Sequence, residues 1–403
     1  MDNSSPLSVA LARNVRYYGF LVLFLVVLSA QGSFVNDMYT PALPSMCRFF
    51  GCSVSLGQMG LTMGMIGLAA GQFLLGPISD RYGRKPVVIV ATAVFVVAAI
   101  VSIFSTSIHV FNLCRLFQGL GASAGYFLAK TIPADVYSGH KLAALMALVG
   151  AINGIAPASS PVIGGLLADT WGWKSIFITL AAFAACIIIL SFWMKESLSV
   201  QNRSKGSFLS SFGGYATLLR NRNFMTHTCL KGFALGLLFC YIASSPFIMQ
   251  NHYGMSQTKY GLIIGFNALF MAAGSMLSLK FKPYKKAAFI GAIIAACAVV
   301  VQAVELFAFN SFWIYNVCNI VFLFALGMIF ATSNTLAMNE GRQHSGEAAA
   351  VIGVAGYIVG GIVSPLAGIG NIMHSTAIVN LALIVFILLF AFLSRRIPAD
   401  LNS

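Results

Sequence analysis

The sequence predicts an all-α membrane protein in which twelve transmembrane helices form two pseudo-symmetric six-helix bundles. Of its 403 residues, 59% are hydrophobic and only 8% are charged. A soluble domain carries about 25% charged residues, so this chain has too much apolar surface to hide from water. Its solvent is therefore expected to be a lipid bilayer, whose hydrocarbon core a helix of about 20 residues crosses.

Twelve apolar stretches are long enough to cross that core. The one long polar segment separates the sixth stretch from the seventh, which divides the chain into an N-terminal bundle (1–194), a cytoplasmic linker (195–224) and a C-terminal bundle (225–403). A basic turn at residues 280–286 takes the place in the second bundle that residues 76–86 take in the first, as expected of two parallel repeats. The predicted spans are 18–43, 57–78, 87–107, 109–132, 142–167, 173–194, 225–249, 259–280, 286–308, 312–338, 347–370 and 374–394.

The placement of Lys and Arg predicts the orientation. With the N-terminus in the cytoplasm, 18 of the 24 basic residues fall in cytoplasmic segments and three fall on the outer side. The positive-inside rule then puts both termini in the cytoplasm, and we expect an inner-membrane protein. The apolar run after Arg13 and Arg16 lacks a cleavage site, so it is interpreted as a retained first helix. The net charge of +14 is scattered over short loops, which is unlike a nucleic-acid-binding surface.

A short hydrophilic hairpin over residues 76–86 joins the second and third spans. Its two glycines allow a tight backbone, and its charged side chains mark it as a cytoplasmic turn. The hairpin carries Gly76, Asp80, Arg81, Gly83 and Arg84.

The fifth span carries small residues four positions apart and two prolines. Small residues let helices approach closely, and proline removes helix hydrogen bonds and permits bending. We expect a contact seam against the other bundle that serves conformational change and does not bind substrate directly. Its residues are Gly150, Gly154, Pro157, Pro161, Gly164 and Gly165, of which Gly154, Pro157 and Pro161 are the candidate switch residues.

Asp37 is the one acid that lies well inside a predicted span. Ionisable groups within a membrane are costly and are functional candidates by default. Because hydrocarbon disfavours the ionised carboxylate, Asp37 is predicted to take a proton from one side and release it to the other. The alternative is a helix-packing acid bonded to a neighbouring Asn, Ser or Tyr. Glu305, near the outer end of span nine, is expected to reach water.

Three cations also fall within spans. Arg115 cannot shed its charge and needs a partner; it either holds an anion or steers a carboxylate, or it locks span four to its neighbours through backbone carbonyls. Lys130 and Lys231 lie near cytoplasmic ends, where their ammonium groups are expected to snorkel to water.

Uncharged polar side chains inside the spans either line a central cavity or bridge helices. Those in question are Gln118, Asn153, Tyr241, Ser244, Ser245, Asn267, Asn319 and Asn334. The candidate substrate-binding residues are Phe34, Tyr39, Gln118, Asn153, Tyr241, Ser245 and Asn267. Cys47 and Cys52 flank a turn on the outer side and either form a disulfide or stay free; no metal-ligand cluster is expected.

Several of these segments resemble the motifs of one transporter family. Residues 76–86 resemble motif A of the major facilitator superfamily, residues 115–119 resemble motif B, and residues 150–165 resemble the antiporter motif C. Residues 36–44 resemble the first-span signature of proton-linked drug exporters. Ser-Pro-Phe at 245–247 and the turn at 172–177 are similar to the bicyclomycin-resistance (Bcr/CflA) subfamily.

The resemblance implies roles for matching positions, and it makes Gly76, Asp80, Arg81, Gly83 and Arg84 of the hairpin the candidate conformational-switch residues. Asp80 would pair with the motif's cations and with the start of helix eleven, holding an outward-open state. Asp37 would be the proton-coupling carboxylate, Arg115 would support proton exchange, and Pro157 with its glycines would form the hinge between halves. The chain departs from the family pattern at Lys195-Glu196-Ser197-Leu198, which replaces Pro-Glu-Thr-Leu, and at Ala134, where the family often has Arg.

The sequence thus predicts a proton-coupled efflux antiporter for drugs or other small molecules, working by alternating access as a monomer. It needs no cofactor beyond protons as the coupling ion. A proton symporter that imports a metabolite is the first alternative. A non-transporting membrane sensor or enzyme is the second, although no nucleophile–base pair or cofactor loop is visible.

Overall fold

A computed structural model describes residues 15–203, 213–278, 280–309 and 311–397. Arg13, part of the predicted cytoplasmic N-terminus, lies outside these ranges, as do residues 204–212 of the predicted linker. The regular elements of the described chain are all helical. The long helices agree with the predicted spans, although several extend past them by three or four residues at an end, as α3 does at both ends.

The N-terminal half contains six spans. The first is broken into α1 (Val15–Asp37), a single 3-10 turn (Thr40–Ala42) and α2 (Leu43–Phe50). The other five are α3 (Val54–Tyr82), α4 (Arg84–Phe104), α5 (Ile108–Val136), α6 (Gly139–Trp171) and α7 (Trp173–Trp193).

The C-terminal half repeats the plan after a short helix α8 (Gly213–Arg220). Its spans are α9 (Arg222–Phe247, continued by a π-helical turn Ile248–His252), α10 (Gln257–Ser278), α11 (Tyr284–Val304, continued by a π-helical turn Glu305–Phe309), α12 (Phe312–Glu340), α13 (Ser345–Leu366) and α14 (Ile372–Arg396).

Eleven of these spans among the described residues are long and apolar enough to cross a membrane by length and composition alone. The twelfth, α5, has 29 residues but is more polar because it carries Arg115, Gln118 and Lys130. It packs between α3 and α4 inside the N-terminal half, so neighbouring helices cover much of its polar surface. The predicted two bundles of six spans are confirmed.

The first span breaks at Asp37, which corrects the expectation of a continuous helix. Pro41 and Pro44 follow at the first turns of the next two elements, and proline has no N–H to continue the helix. The hydroxyl of Thr40 donates to the Asp37 carbonyl at 2.8 Å, satisfying an acceptor that the helix end leaves open. The break brings Asp37 to the end of a helix within the membrane.

The two halves meet at one end of the molecule and separate at the other. We call the end with residues 81–86 and 280–286 the basic end, and the other the opposite end. Side chains that join the halves near the opposite end include Ser55, which donates to the Pro365 carbonyl at 2.8 Å, and Thr62, which donates to the Gly361 carbonyl at 2.8 Å. Asp169 accepts from the backbone N–H of Thr258 at 2.7 Å. These contacts seal the opposite end.

Glycines on α6 show the same asymmetry. A side chain at Gly165 would collide with the backbone of Gln257 in the other half, and one at Gly164 would collide with Met38 in the same half, whereas Gly150 and Gly154, nearer the basic end, face open space. The predicted seam against the other half therefore exists along the part of α6 near the opposite end only. The molecule is open toward the basic end.

Two further expectations are settled by burial and bonding. Glu305 is only 1% exposed, so the expectation that it reaches water is wrong. A π-helical turn begins at this residue and directs its side chain into the C-terminal half. There its carboxylate accepts a hydrogen bond from the Tyr253 hydroxyl at 3.1 Å. Cys47 and Cys52 are free thiols, and Cys47 contacts the Ser53 carbonyl.

Candidate functional site

A cavity of about 250 Å³ lies between the two halves. Helices of both halves contribute to its wall, which is mostly aromatic and aliphatic with a few polar groups, as is usual for small-molecule sites. The lining residues are Asn36, Asp37, Thr40, Tyr126, Pro157, Pro161, Leu235, Leu238, Phe239, Tyr241, Ile242, Tyr260, Ile264, Ala268, Met271, Leu323, Phe330 and Tyr357.

Asp37 is the one acid among these lining residues. It is half-buried, because it terminates α1 at the edge of the cavity. The ion pairs found in the described parts of the chain involve Asp80, Asp135 and Glu347 and leave Asp37 out. An ionisable group in an apolar wall without an ion-pair partner is costly to keep there, so Asp37 is a candidate functional residue.

Arg115 lies behind Asp37, inside the N-terminal half, and does not line the cavity. Its guanidinium donates to the Val35 carbonyl at 2.6 Å and to Gln118 Oε1 at 2.6 Å. The Tyr39 ring covers its charge at 4.2 Å. Val35 and Tyr39 flank the break in the first span, so Arg115 fixes the chain on both sides of Asp37.

Two of the candidate substrate-binding residues contact Arg115, and a third packs elsewhere in the N-terminal half. Tyr39 and Gln118 contact Arg115, and Gln118 also donates to Ser102 Oγ at 3.2 Å on α4. Phe34 packs on Phe183 with ring centroids 5.2 Å apart. None of them is part of the cavity wall in this arrangement; they lie behind it, and direct contact with substrate stays a prediction for them.

Of the other candidate substrate-binding residues, only Tyr241 lines the cavity. Asn267 is fully buried and donates to the Tyr241 hydroxyl at 3.0 Å and to Asn316 Oδ1 at 2.8 Å. Ser245 is within hydrogen-bonding distance of the Tyr260 hydroxyl at 3.1 Å. Asn267 and Ser245 therefore orient two tyrosines of the wall. Asn153, on α6, is outside the wall.

Pro157 and Pro161 lie in the cavity wall. The expectation that this face of the fifth span serves conformational change alone is therefore too narrow, because the same face also bounds the space that a bound molecule would occupy. Gly261 approaches the Pro161 carbonyl so closely that a side chain there would collide with it. The prolines thus sit where the α6–α10 contact meets the cavity.

The hairpin at the basic end forms a charged cluster. Arg84, only 5% exposed, pairs with Asp80 and donates to Asp135 Oδ2 at 2.9 Å. Asp80 is half-exposed and makes its ion pair with Arg84 in this open arrangement rather than with the start of α13. Gly83 takes a φ of 103°, a conformation that favours glycine. The other two candidate switch residues are Gly76, which faces open space, and Arg81, which is exposed.

Glu196 completes that cluster, and the sequence interpretation treated it only as a departure from a family pattern. Its carboxylate accepts from the backbone N–H groups of Arg84 at 2.8 Å and Lys85 at 3.1 Å. These are the open donors at the start of α4, whose own N-cap residue is glycine and has no side chain to bond them. Two features of the sequence indicate this contact: an acid just after the sixth span, and a third span whose helix begins at a glycine.

The sequence interpretation also missed five aromatic residues of the wall, Tyr126, Phe239, Tyr260, Phe330 and Tyr357. In a chain with 33 Phe and 13 Tyr, residue type alone does not separate lining rings from lipid-facing ones. Gly64 was missed too; it lets α3 lie directly against Arg115 Nη2, which is 3.1 Å from where a side chain would begin.

Comparison with known proteins agrees with this architecture. The chain is 30% identical over 377 residues to an uncharacterized MFS-type transporter, YdgK, of Bacillus subtilis, covering 89% of the chain and 93% of the relative. It is 28% identical to multidrug resistance protein D of Escherichia coli (86% and 88% covered) and to a chloramphenicol resistance protein of Pseudomonas aeruginosa (88% and 83% covered).

Solved structures give the same fold. A bacterial homologue of the human lysosomal transporter Spinster, in an inward-facing and occupied conformation, superposes with a TM-score of 0.76 at 15% identity, covering 95% of this chain and 98% of that one. The family model for the Major Facilitator Superfamily matches residues 22–365. With the two bundles, the cavity between them and this match in hand, the chain belongs to the Major Facilitator Superfamily and is a multi-pass membrane transporter of small molecules.

Proposed function

We propose that this transporter is a proton-coupled antiporter that exports drug-like molecules, of the kind found in the Bcr/CflA subfamily. The observation that carries the proposal is the position of Asp37. It is the one acid among the described residues that line the cavity, and it lies at a helix break held by Arg115. The names of two relatives, a multidrug and a chloramphenicol resistance protein, favour drug export.

In the proposed cycle, a proton and a substrate occupy the cavity alternately. Protonation of Asp37 from the outer side neutralises the wall and favours one arrangement of the halves. Opening toward the cytoplasm releases the proton, and substrate then enters. Each proton that moves inward is driven by about 2.3 kcal/mol per 100 mV of membrane potential, together with any pH gradient. Protons are the only coupling agent in this proposal, which requires no other cofactor.

The basic end is proposed to face the cytoplasm, with both termini on that side of the inner membrane and a monomer as the working unit. The excess of Lys and Arg at this end supports the orientation. The described arrangement would then be open to the cytoplasm. Asp80, Arg81, Arg84, Gly76 and Gly83 at this end, and Gly154, Pro157 and Pro161 on α6, are proposed to move or bend when the halves exchange arrangements.

The test uses everted membrane vesicles with an acidic interior and chloramphenicol as the probe. Addition of chloramphenicol is expected to release protons from wild-type vesicles, and Asp37→Asn is expected to abolish this release while reaching the membrane in normal amounts. Glu305→Gln is the matched control, because Glu305 is also a buried carboxyl but is not part of the cavity wall. The control is expected to retain coupled release.

The sign of the proton movement separates export from import. In proteoliposomes without a gradient, external chloramphenicol should acidify the outside if the protein is an antiporter and should make it alkaline if it is a symporter. Coupled release that persists in Asp37→Asn would refute the role proposed for that residue.

A further inference from the structure

Three polar side chains surround the cavity on the side of the basic end. Lys130 on α5 follows the lining residue Tyr126 by four positions, and Asn334 on α12 follows Phe330 by four. Lys231 on α9 precedes the lining residue Leu235 by four. Residues four apart lie on the same face of a helix. All three therefore project from the cavity-lining faces, one turn nearer the basic end.

The two lysines come from different halves and project toward the same end of the cavity. Lys231 Nζ donates to Asn334 Oδ1 at 2.7 Å, and Lys130, whose side chain is exposed, lies one helical turn beyond the lining residue Tyr126 of the other half. Lys231 therefore turns toward α12 instead of snorkelling along its own helix to water. The ion pairs found in the described chain include neither lysine.

Two unpaired ammonium groups at the mouth of an apolar cavity disfavour the approach of a cation and attract an anion. Each ammonium has donors to spare, because Lys has three N–H groups and Asn334 occupies only one of them. A carboxylate between the lysines would accept a charge-assisted hydrogen bond from each and cancel their repulsion.

We propose that Lys130, Lys231 and Asn334, here called the lysine collar, bind an anionic group of the transported molecule. The ligand class is a small amphipathic molecule with a carboxylate or comparable anion at one end. Its apolar body would occupy the aromatic cavity, and its far end would lie toward Asp37. The proposal rests on the proposed function only in taking this cavity as the substrate site.

Binding of an anion to the lysine collar would also affect how easily the two halves close at the basic end. Closing the basic end brings Lys130 of the N-terminal half toward Lys231 of the C-terminal half, and an empty collar opposes that approach because like charges repel. An anion between them removes the opposition. The collar would thus favour closure when the site is loaded.

The probes are dansylglycine and dansylglycinamide, which share a fluorescent apolar body and differ by one carboxylate. Binding is measured by fluorescence titration of the full chain in lipid nanodiscs at pH 7, with empty nanodiscs subtracted. Dansylglycine is expected to bind the wild type about tenfold to hundredfold more tightly than the amide, the range of a hydrogen bond to a charged group. This preference should shrink as salt is added.

The variants locate the effect. Lys130→Gln and Lys231→Gln should each reduce the preference, and the double variant should bring it within about twofold. Binding of dansylglycinamide should be unchanged in all of them, which shows that the cavity is intact. Lys231→Arg should keep the preference. Lys286→Gln, which removes an exposed lysine at the basic end, should match the wild type.

Equal affinity for the two probes, absence of saturable dansylglycine binding, or a preference that survives in the double variant would each overturn the proposal. The measurement needs no proton gradient. Loss of proton coupling in the vesicle experiment and loss of anion preference here are therefore separate results.

Discussion

The two halves place polar side chains at equivalent positions but fill them with different chemistry. Arg115 on α5 and Asn319 on α12 each lie about two turns after the start of their helices. Ser102 on α4 and Gln302 on α11 each lie about five turns after theirs. At these positions the N-terminal half has a cation and a hydroxyl, whereas the C-terminal half has two amides.

The consequences differ because the partners differ. In the C-terminal half Gln302 donates to Asn319 Oδ1 at 2.6 Å and accepts from Asn380 at 3.2 Å, so the amides tie three helices of one bundle together. In the N-terminal half Arg115 reaches instead to Val35, two residues before Asp37. In the C-terminal half these residues connect helices of the same bundle. In the N-terminal half Arg115 instead stabilises the helix break at Asp37.

The two basic turns repeat this contrast. Arg84 joins Asp80 and Asp135 in one cluster, and Ser197 donates to Asp135 at 3.0 Å. In the C-terminal half Lys285 donates to the Ile397 carbonyl at 3.1 Å. The N-terminal half therefore has ion-paired charge at the basic end and a buried cation behind the cavity, and three sets of substitutions test how much depends on that difference.

The largest effect is expected from giving the N-terminal half the C-terminal residue type. Arg115→Asn removes donors from the Val35 carbonyl and from Gln118, both in the protein interior, and is expected to lower the free energy of unfolding by about 3 kcal/mol. The measurement is thermal unfolding of purified protein in detergent. Arg48→Asn, at an exposed arginine, is the control. If the Arg115→Asn protein unfolds at the same temperature as the wild type, the proposed difference between the halves is wrong.

A smaller effect is expected at the basic end. Arg84→Gln leaves Asp135, which is largely buried, without its cation, whereas Asp80 is half-exposed and loses little. We expect a loss of about 1 to 2 kcal/mol in the same assay. Lys285→Gln, at the corresponding turn of the other half, should change stability by less than about 0.5 kcal/mol. Equal effects at the two turns would contradict the comparison.

The sequence predicted the parts of this protein that depend on composition and local pattern. Twelve spans and the division into halves follow from long apolar runs, and a carboxyl deep within a span marks Asp37 as a site candidate. The prolines at 41 and 44 were visible, but the break they produce at Asp37 was not predicted, because a span of sufficient length looks continuous in hydropathy.

The cavity wall was much less predictable, because helix rotation decides which side chains face it. Tyr39 and Tyr126 are equally aromatic, yet Tyr39 covers Arg115 and Tyr126 lines the cavity. Lys231 was interpreted as a snorkelling residue from its distance to the span end, but its partner Asn334 lies 103 residues away in the sequence. Contacts of this kind depend on helix packing and leave no local signal.

The smallest expected effect is the coupling free energy between the two amides of the C-terminal half. Gln302→Met and Asn319→Leu each remove one partner and leave the other amide buried without it, at a cost of about 1 to 2 kcal/mol. The double variant should cost less than the two together, with a coupling of about 1 kcal/mol, because apolar groups then face each other. Combining Gln302→Met with Lys286→Gln serves as the control and should be additive. If the losses of unfolding free energy at Gln302 and Asn319 are additive, their hydrogen bond does not stabilise the C-terminal half. The contrast with Arg115 would then need another explanation.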